Sequence, residues 1–130
     1  MLNFKRPETQ FAIHAVRQAS RLVKQVQVET ISSALTKDDR SPVTVADFAS
    51  QALVGRLITE SFPDDPLVGE EDSSVLRQPS SRQTLEQVTQ FVSRLAPQAT
   101  SEMVCSWIDR GAGAIRSSCW CRFWALSLSD

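Results

Sequence analysis

The sequence is poor in the residues from which metal clusters and disulfide frameworks are built. It has one histidine, His14, and three cysteines, Cys105, Cys119 and Cys121, among 130 residues. An odd number of cysteines cannot form a fully paired disulfide framework, and with His14 far away in sequence they do not make a zinc site. No apolar run approaches membrane-spanning length. Met1-Leu2-Asn3-Phe4-Lys5-Arg6-Pro7 lacks the apolar stretch of a signal peptide, so the expected location is cytoplasmic. Excess charge of one sign is also missing. Fourteen Lys and Arg against 15 Asp and Glu leave a net charge of −1, which argues against a nucleic-acid or membrane-surface role built on bulk charge. Internal repeats are absent. With 42% hydrophobic residues, the chain is one domain's worth and holds a modest core.

What is present is helical periodicity. Phe11, Ala15, Ala19, Leu22 and Val26 recur at helical spacing and predict a long amphipathic helix over 11–28, opened by Glu8 and Thr9. His14 falls between these positions and reads as a packing or surface residue, not a ligand. Val28 to Leu35 is rich in β-branched and small residues; with the charged stretch 36–40 and Pro42-Val43-Thr44 it suggests a strand, a turn and a returning segment. A second helix is predicted over 44–61, with Phe48, Ala49, Ala52, Leu53, Leu57 and Ile58 on one face, and with Gly55 costing it about 1 kcal/mol relative to alanine. Residues 73–83 read as a polar loop. A third helix over 84–95 carries Leu85, Val88, Val92 and Leu95, and Pro97 ends it.

Negative charge is concentrated in one place. Between Arg56 and Arg77 stand six acids and no base: Glu60, Asp64, Asp65, Glu70, Glu71 and Asp72. Such a cluster must be solvated, paired or metal-bound, and a bare acidic loop is the ordinary outcome. Its surroundings shift the balance. Pro66-Leu67-Val68 reads as a short buried strand after the turn Pro63-Asp64-Asp65-Pro66, and Gly69 lets the chain bend so that Glu70 emerges at the strand's end. Upstream, Pro42 holds Ser41 extended, Thr44 is a candidate N-cap, and Asp47 falls three residues after it, where a helix dipole stabilises an anion. Asp47 also fits the plainer reading of a capping-box acid.

The string K-x-D-x-S-P-V-T-x-A-D at 37–47, followed by F-P-D-D-x-x-V-G-E-E-x-S at 62–73, resembles the 3'(2'),5'-bisphosphate nucleotidases. These belong to the magnesium-dependent, lithium-sensitive phosphatase superfamily that includes inositol monophosphatase. The resemblance implies that Glu70 ligates magnesium and that Asp47 helps activate the attacking water in the same metal site. Glu71, Lys37, Asp39 and Thr44 would assist there; for Glu71 and Asp72 plain solvation stands as an equal alternative, and for Lys37 and Asp39 the alternative is a solvated turn. Magnesium takes hard oxygen ligands and keeps several waters, so a few carboxylates plus a substrate phosphate hold it. The implied fold is α+β, the N-terminal part of a layered α/β/α/β/α sugar-phosphatase fold, mostly helical in this chain with a few strands. The implied substrate is a small phosphorylated nucleotide, 3'-phosphoadenosine 5'-phosphate, cleaved to AMP.

Cys105-Ser106-Trp107-Ile108-Asp109-Arg110-Gly111 and Arg122-Phe123-Trp124-Ala125-Leu126 also resemble the family. In the family the latter leads into a strand ending D-P-I-D-G-T, whereas here Ser127-Leu128-Ser129-Asp130 follow. The expectation is therefore a truncated member, with residues 1–110 as the N-terminal part of the phosphatase domain and 111–130 as an aberrant tail. Its metal site would be incomplete and its activity lost, and the apolar faces of helices 44–61 and 84–95 would be left open to self-association. The rival readings are an inositol phosphatase fragment and a non-catalytic helical interaction module.

Overall fold

The computed structural model describes residues 3–32 and 42–116. Four α-helices make up the described fold: α1 (Pro7–Ser32), α2 (Pro42–Ser61), α3 (Arg82–Ser93) and α4 (Ser101–Arg116), with a single 3-10 turn at Pro79–Ser81 leading into α3. The expected α+β arrangement is corrected by this result, because among the described residues there is no strand. Residues 28–32 of the suggested first strand continue α1, and 33–35 lie outside the described residues. β-branched residues disfavour a helix only by tenths of a kcal/mol each, less than α1 gains by packing Leu22 and Val26 one turn apart at zero exposure.

The expected face of α1 is the one that packs. Ala15, Leu22 and Val26 are buried and Phe11 and Ala19 are half-buried, while His14 stands in solvent. Phe11 meets Phe62 edge to face, with ring centroids 5.1 Å apart. That contact joins the start of α1 to the end of α2, so the two helices run antiparallel. α2 starts at Pro42, a residue whose fixed φ suits the first helical position. Thr44 is thus inside the helix instead of capping it, and Asp47 lies beyond the first turn.

α2 packs against α1, α3 and α4 alike, because its apolar residues are spread around its circumference and its small residues let neighbours come close. Val45, Phe48, Ala49, Ala52 and Leu53 join Val88, Phe91 and Val92 of α3 and Val104 and Ile108 of α4 in one buried core. The faces of 44–61 and 84–95 that the sequence left open are therefore closed on this core. Residues 73–83 are no loose polar loop either: Ser73, Leu76 and Ser81 are buried there.

α4 was not marked as a helix in the sequence. Its crossing with α2 is tight at Gly55, where an added Cβ would lie 2.2 Å from the backbone oxygen of Trp107. The glycine that looked like a propensity cost is what lets the two helices touch. Among the described residues no helix is long and apolar enough to cross a membrane.

Gly55→Ala should destabilise the chain by about 1–3 kcal/mol despite alanine's better helix propensity. Thermal unfolding followed by circular dichroism tests this: a midpoint unchanged or raised in the variant would contradict the close crossing.

Candidate active site

The acidic segment is held by backbone and amide hydrogen bonds, not by a sheet. Leu67 is half-buried, and Val68 is 56% exposed, so Pro66-Leu67-Val68 is not the buried strand expected. The segment has no regular secondary structure, and its anchor is Gly69, whose N–H donates to the carbonyl of Gly111 on α4 at 3.2 Å. Two residues on, the N–H of Glu71 donates to Gln51 Oε1 at 3.0 Å, and Gln51 Nε2 donates to the Glu71 carbonyl at 2.6 Å. The same Nε2 donates to the Ile108 carbonyl at 2.8 Å. Glycines at 69 and 111 leave room for this amide, since Cβ atoms there would stand 2.4 Å from Gln51 Oε1 and 2.8 Å from Gln51 Nε2.

The end of the segment is tied to α4 by charge. Asp109 accepts from the Ser73 N–H and the Ser73 hydroxyl, both at 2.7 Å. Arg77 donates from Nε to Ser73 Oγ at 2.8 Å and forks onto Glu102 at 3.0 and 3.1 Å. Glu102 is accordingly held below the usual carboxylate range by its hydrogen bond to Arg77. Asp72 accepts from the Ser74 N–H at 2.8 Å and from the Ser74 hydroxyl, an Asx turn that gives this acid a local structural task.

Together these ties bring the two halves of the sequence pattern to one place. Asp47, Ser50, Gln51 and Val54 from α2 and Leu67, Val68, Gly69, Glu70 and Glu71 from the acidic segment line an open cavity of about 340 Å³. Asp47 and Glu70 are exposed at it, Glu71 is half-buried, and Thr44 is half-buried one turn before Asp47. Lys37 and Asp39 lie outside the described residues. Burial, then the negative charges of Asp47, Glu70 and Asp72, push the Glu71 carboxyl above its ordinary value of 4.5.

Among the described residues no Lys or Arg pairs with Asp47, Glu70 or Glu71. Nearby Arg110 is occupied with the carbonyls of Phe62, Pro63 and Asp65. The cavity thus gathers hard oxygen donors whose negative charge no described Lys or Arg compensates, a donor set that suits magnesium in kind. In number it is partial, since among the described residues no three His, Cys, Asp or Glu side chains converge closely enough to hold a metal ion.

The residues that organise the site, Gln51, Arg77, Asp109 and Arg110, carried no assigned role in the sequence reading. For Gln51 a signal was available: it stands four residues after Asp47, on the same helix face.

No family model matches the chain. The 3'(2'),5'-bisphosphate nucleotidase of Schizosaccharomyces pombe is 41% identical over 81% of this chain and 33% of its own length. The 3'(2'),5'-bisphosphate nucleotidase 1 of Candida albicans is 36% identical over 95% of this chain and 37% of its own, and that of Arabidopsis thaliana is 42% identical over 66% and 25%. The class these names define is phosphatase, a hydrolase. Over most of its length the chain is similar to 3'(2'),5'-bisphosphate nucleotidases, and it spans about a third of the length of the relatives it matches.

Glu71 yields a prediction with a definite sign. A carboxyl raised above its unfolded value stabilises the fold below about pH 4.5 and loses that contribution as pH rises through the folded value. Glu71→Gln should therefore raise the thermal midpoint at pH 7, and the difference should shrink towards zero as pH falls below 4.5. A variant less stable than wild type at pH 7 would contradict the crowding of negative charge.

Proposed function

We propose that this chain supplies the Asp47–Glu70 side of a 3'(2'),5'-bisphosphate nucleotidase site, which removes one phosphate from a nucleoside bisphosphate by attack of water. The observation that carries this reading is the shared cavity, where two parts of the sequence pattern more than twenty residues apart meet around carboxylates that no described Lys or Arg pairs with. Its support in sequence is the common name of the relatives, which favours a bisphosphonucleotide over an inositol phosphate.

In this reading Glu70, exposed at the cavity, would hold magnesium through its carboxylate oxygens. When bound, magnesium neutralises phosphate charge and lowers the pKa of water. Asp47, reaching the cavity from α2, takes the proton from the attacking water at a carboxylate oxygen. Glu71, whose environment favours its neutral form, stands beside both and is oriented by the hydrogen bonds that hold its backbone. Thr44, Lys37 and Asp39 assist, and the location is cytoplasmic.

Two exposed carboxylates with one half-buried neighbour make a partial coordination shell, and groups that act as a unit lose most of the rate when members are missing. The 130-residue chain by itself should thus release no phosphate from 3'-phosphoadenosine 5'-phosphate with magnesium above a blank. Magnesium-dependent, lithium-sensitive release would overturn that expectation.

A chimera tests the roles. Joined to the part of the S. pombe relative that it does not match, the chain should gain magnesium-dependent nucleotidase activity. Asp47→Asn and Glu70→Gln should each lower turnover at least about a hundredfold, and Asp65→Asn should leave it nearly unchanged. An active chimera that tolerates Asp47→Asn and Glu70→Gln as easily as Asp65→Asn would show that the acids form only a solvated loop.

A further inference from the structure

We propose that Gln51 is the positioning residue of this site: its side-chain amide locks the backbone of the acidic segment between α2 and α4 and so fixes where Glu70 stands relative to Asp47. The inference rests on the reading of Asp47 and Glu70 as the working pair and adds the device that sets their spacing.

The geometry is that of a missing strand. Gln51 accepts from the N–H of Glu71 and donates to the carbonyl of the same residue, at 3.0 and 2.6 Å. A neighbouring strand in an antiparallel sheet offers a residue the same two bonds, so the amide side chain does locally what the expected sheet was to do. Its remaining donor capacity goes to the Ile108 carbonyl on α4, at 2.8 Å. One side chain thus ties together the helix that carries Asp47, the segment that carries Glu70, and the helix behind them both.

The residue type follows from these bonds. Glutamate has the shape but would set a carboxylate against two carbonyl oxygens. Asparagine is one methylene short of the reach, and leucine fills the volume with no hydrogen bond at all. The two glycines complete the lock, because a Cβ at either position would strike the amide, and one at Gly111 would also lie 3.1 Å from the backbone nitrogen of Gly69.

What sets Gln51 apart from an ordinary packed residue is where it grips. Glu70 is flanked by Gly69, whose N–H is bound to Gly111, and by Glu71, whose N–H and carbonyl are both bound to Gln51. The backbone of Glu70 is therefore fixed on both sides while its side chain stays exposed at the cavity. Gln51 itself lies one helical turn after Asp47, so any shift of the amide moves one carboxylate relative to the other.

The test is amide hydrogen exchange and contact mapping by NMR on the 130-residue chain. In wild type, the Gln51 side-chain amide protons should show contacts to Glu71 and Ile108, and the Glu71 N–H should be protected although it lies in a non-helical segment. In Gln51→Leu, exchange at Gly69 and Glu71 should quicken at least about tenfold, while Leu22 and Val26 in α1 keep their rates. Absent contacts in wild type, a reading that needs no variant to fold, would overturn the proposal. So would unchanged exchange at Glu71 in a folded Gln51→Leu.

Manganese(II) alone serves as the second probe. In wild type it should broaden the amide signals of Asp47 and Glu70 together, and in Gln51→Leu the Glu70 signal should need at least about ten times more ion. A residue that merely fills space would shift the thermal midpoint and leave the paired broadening intact, and that result would overturn the positioning role. Failure of the wild-type chain to show any broadening refutes the metal reading of the cavity instead, and the exchange data then decide the lock alone.

Discussion

The close crossing of α2 and α4 at Gly55 is the constraint on which the other features depend. With the Trp107 backbone oxygen 2.2 Å from where a Cβ would be, no side chain other than hydrogen lets the two helices meet. Their meeting presents the Ile108 and Gly111 carbonyls to Gln51 and to Gly69. The same approach buries Ile108 and Val104 against α2 and α3, so the apolar core and the polar clasp are two results of one contact. Burying helix carbonyls beside a loop is tolerable only when donors reach them, and Gln51 and Gly69 are those donors.

The electrostatics follow a division of labour between arginines and acids. Arg77 neutralises Glu102 and braces Asp109, and Arg110 holds the turn at Phe62–Asp65 through carbonyl oxygens. Arg77 follows the acidic segment in sequence and Arg110 meets its start in the fold, and both are turned to structural work. Asp47, Glu70 and Glu71 are left to line one cavity, and burial, then the neighbouring negative charges, raises the proton affinity of Glu71. Carboxylates with no cationic partner among the described residues are stabilised by a counter-ion from outside, and their oxygens are hard donors.

In the sequence, the acidic stretch and its resemblance pointed to the proteins that the comparisons also find similar and to Asp47 and Glu70, which line one cavity. The helix faces were also legible: Leu22, Val26, Phe48, Ala52, Leu53, Val88 and Val92, all called apolar-face residues, are buried. The strand at Pro66–Val68 was misread for a physical reason. A short apolar run flanked by turn residues is what a strand looks like, but a strand exists only if another backbone pairs with it, and among the described residues no backbone pairs with 66–68. α4 went unmarked because it carries two glycines and a polar stretch, and its helicity draws on packing against α2.

Sequence by itself determined the spacing of apolar residues along α1, α2 and α3 and the concentration of acids between Arg56 and Arg77, because these are properties of order along a chain. Tertiary structure alone decided what Gly55, Gly69 and Gly111 are for, since a missing Cβ has meaning only when something else comes to occupy its place. It decided as well that Gln51 would tie Asp47's helix to Glu70's segment. An amide has no preferred partner in a sequence, and its choice is made by whichever buried donors and acceptors the packing of α2 against α4 leaves unsatisfied.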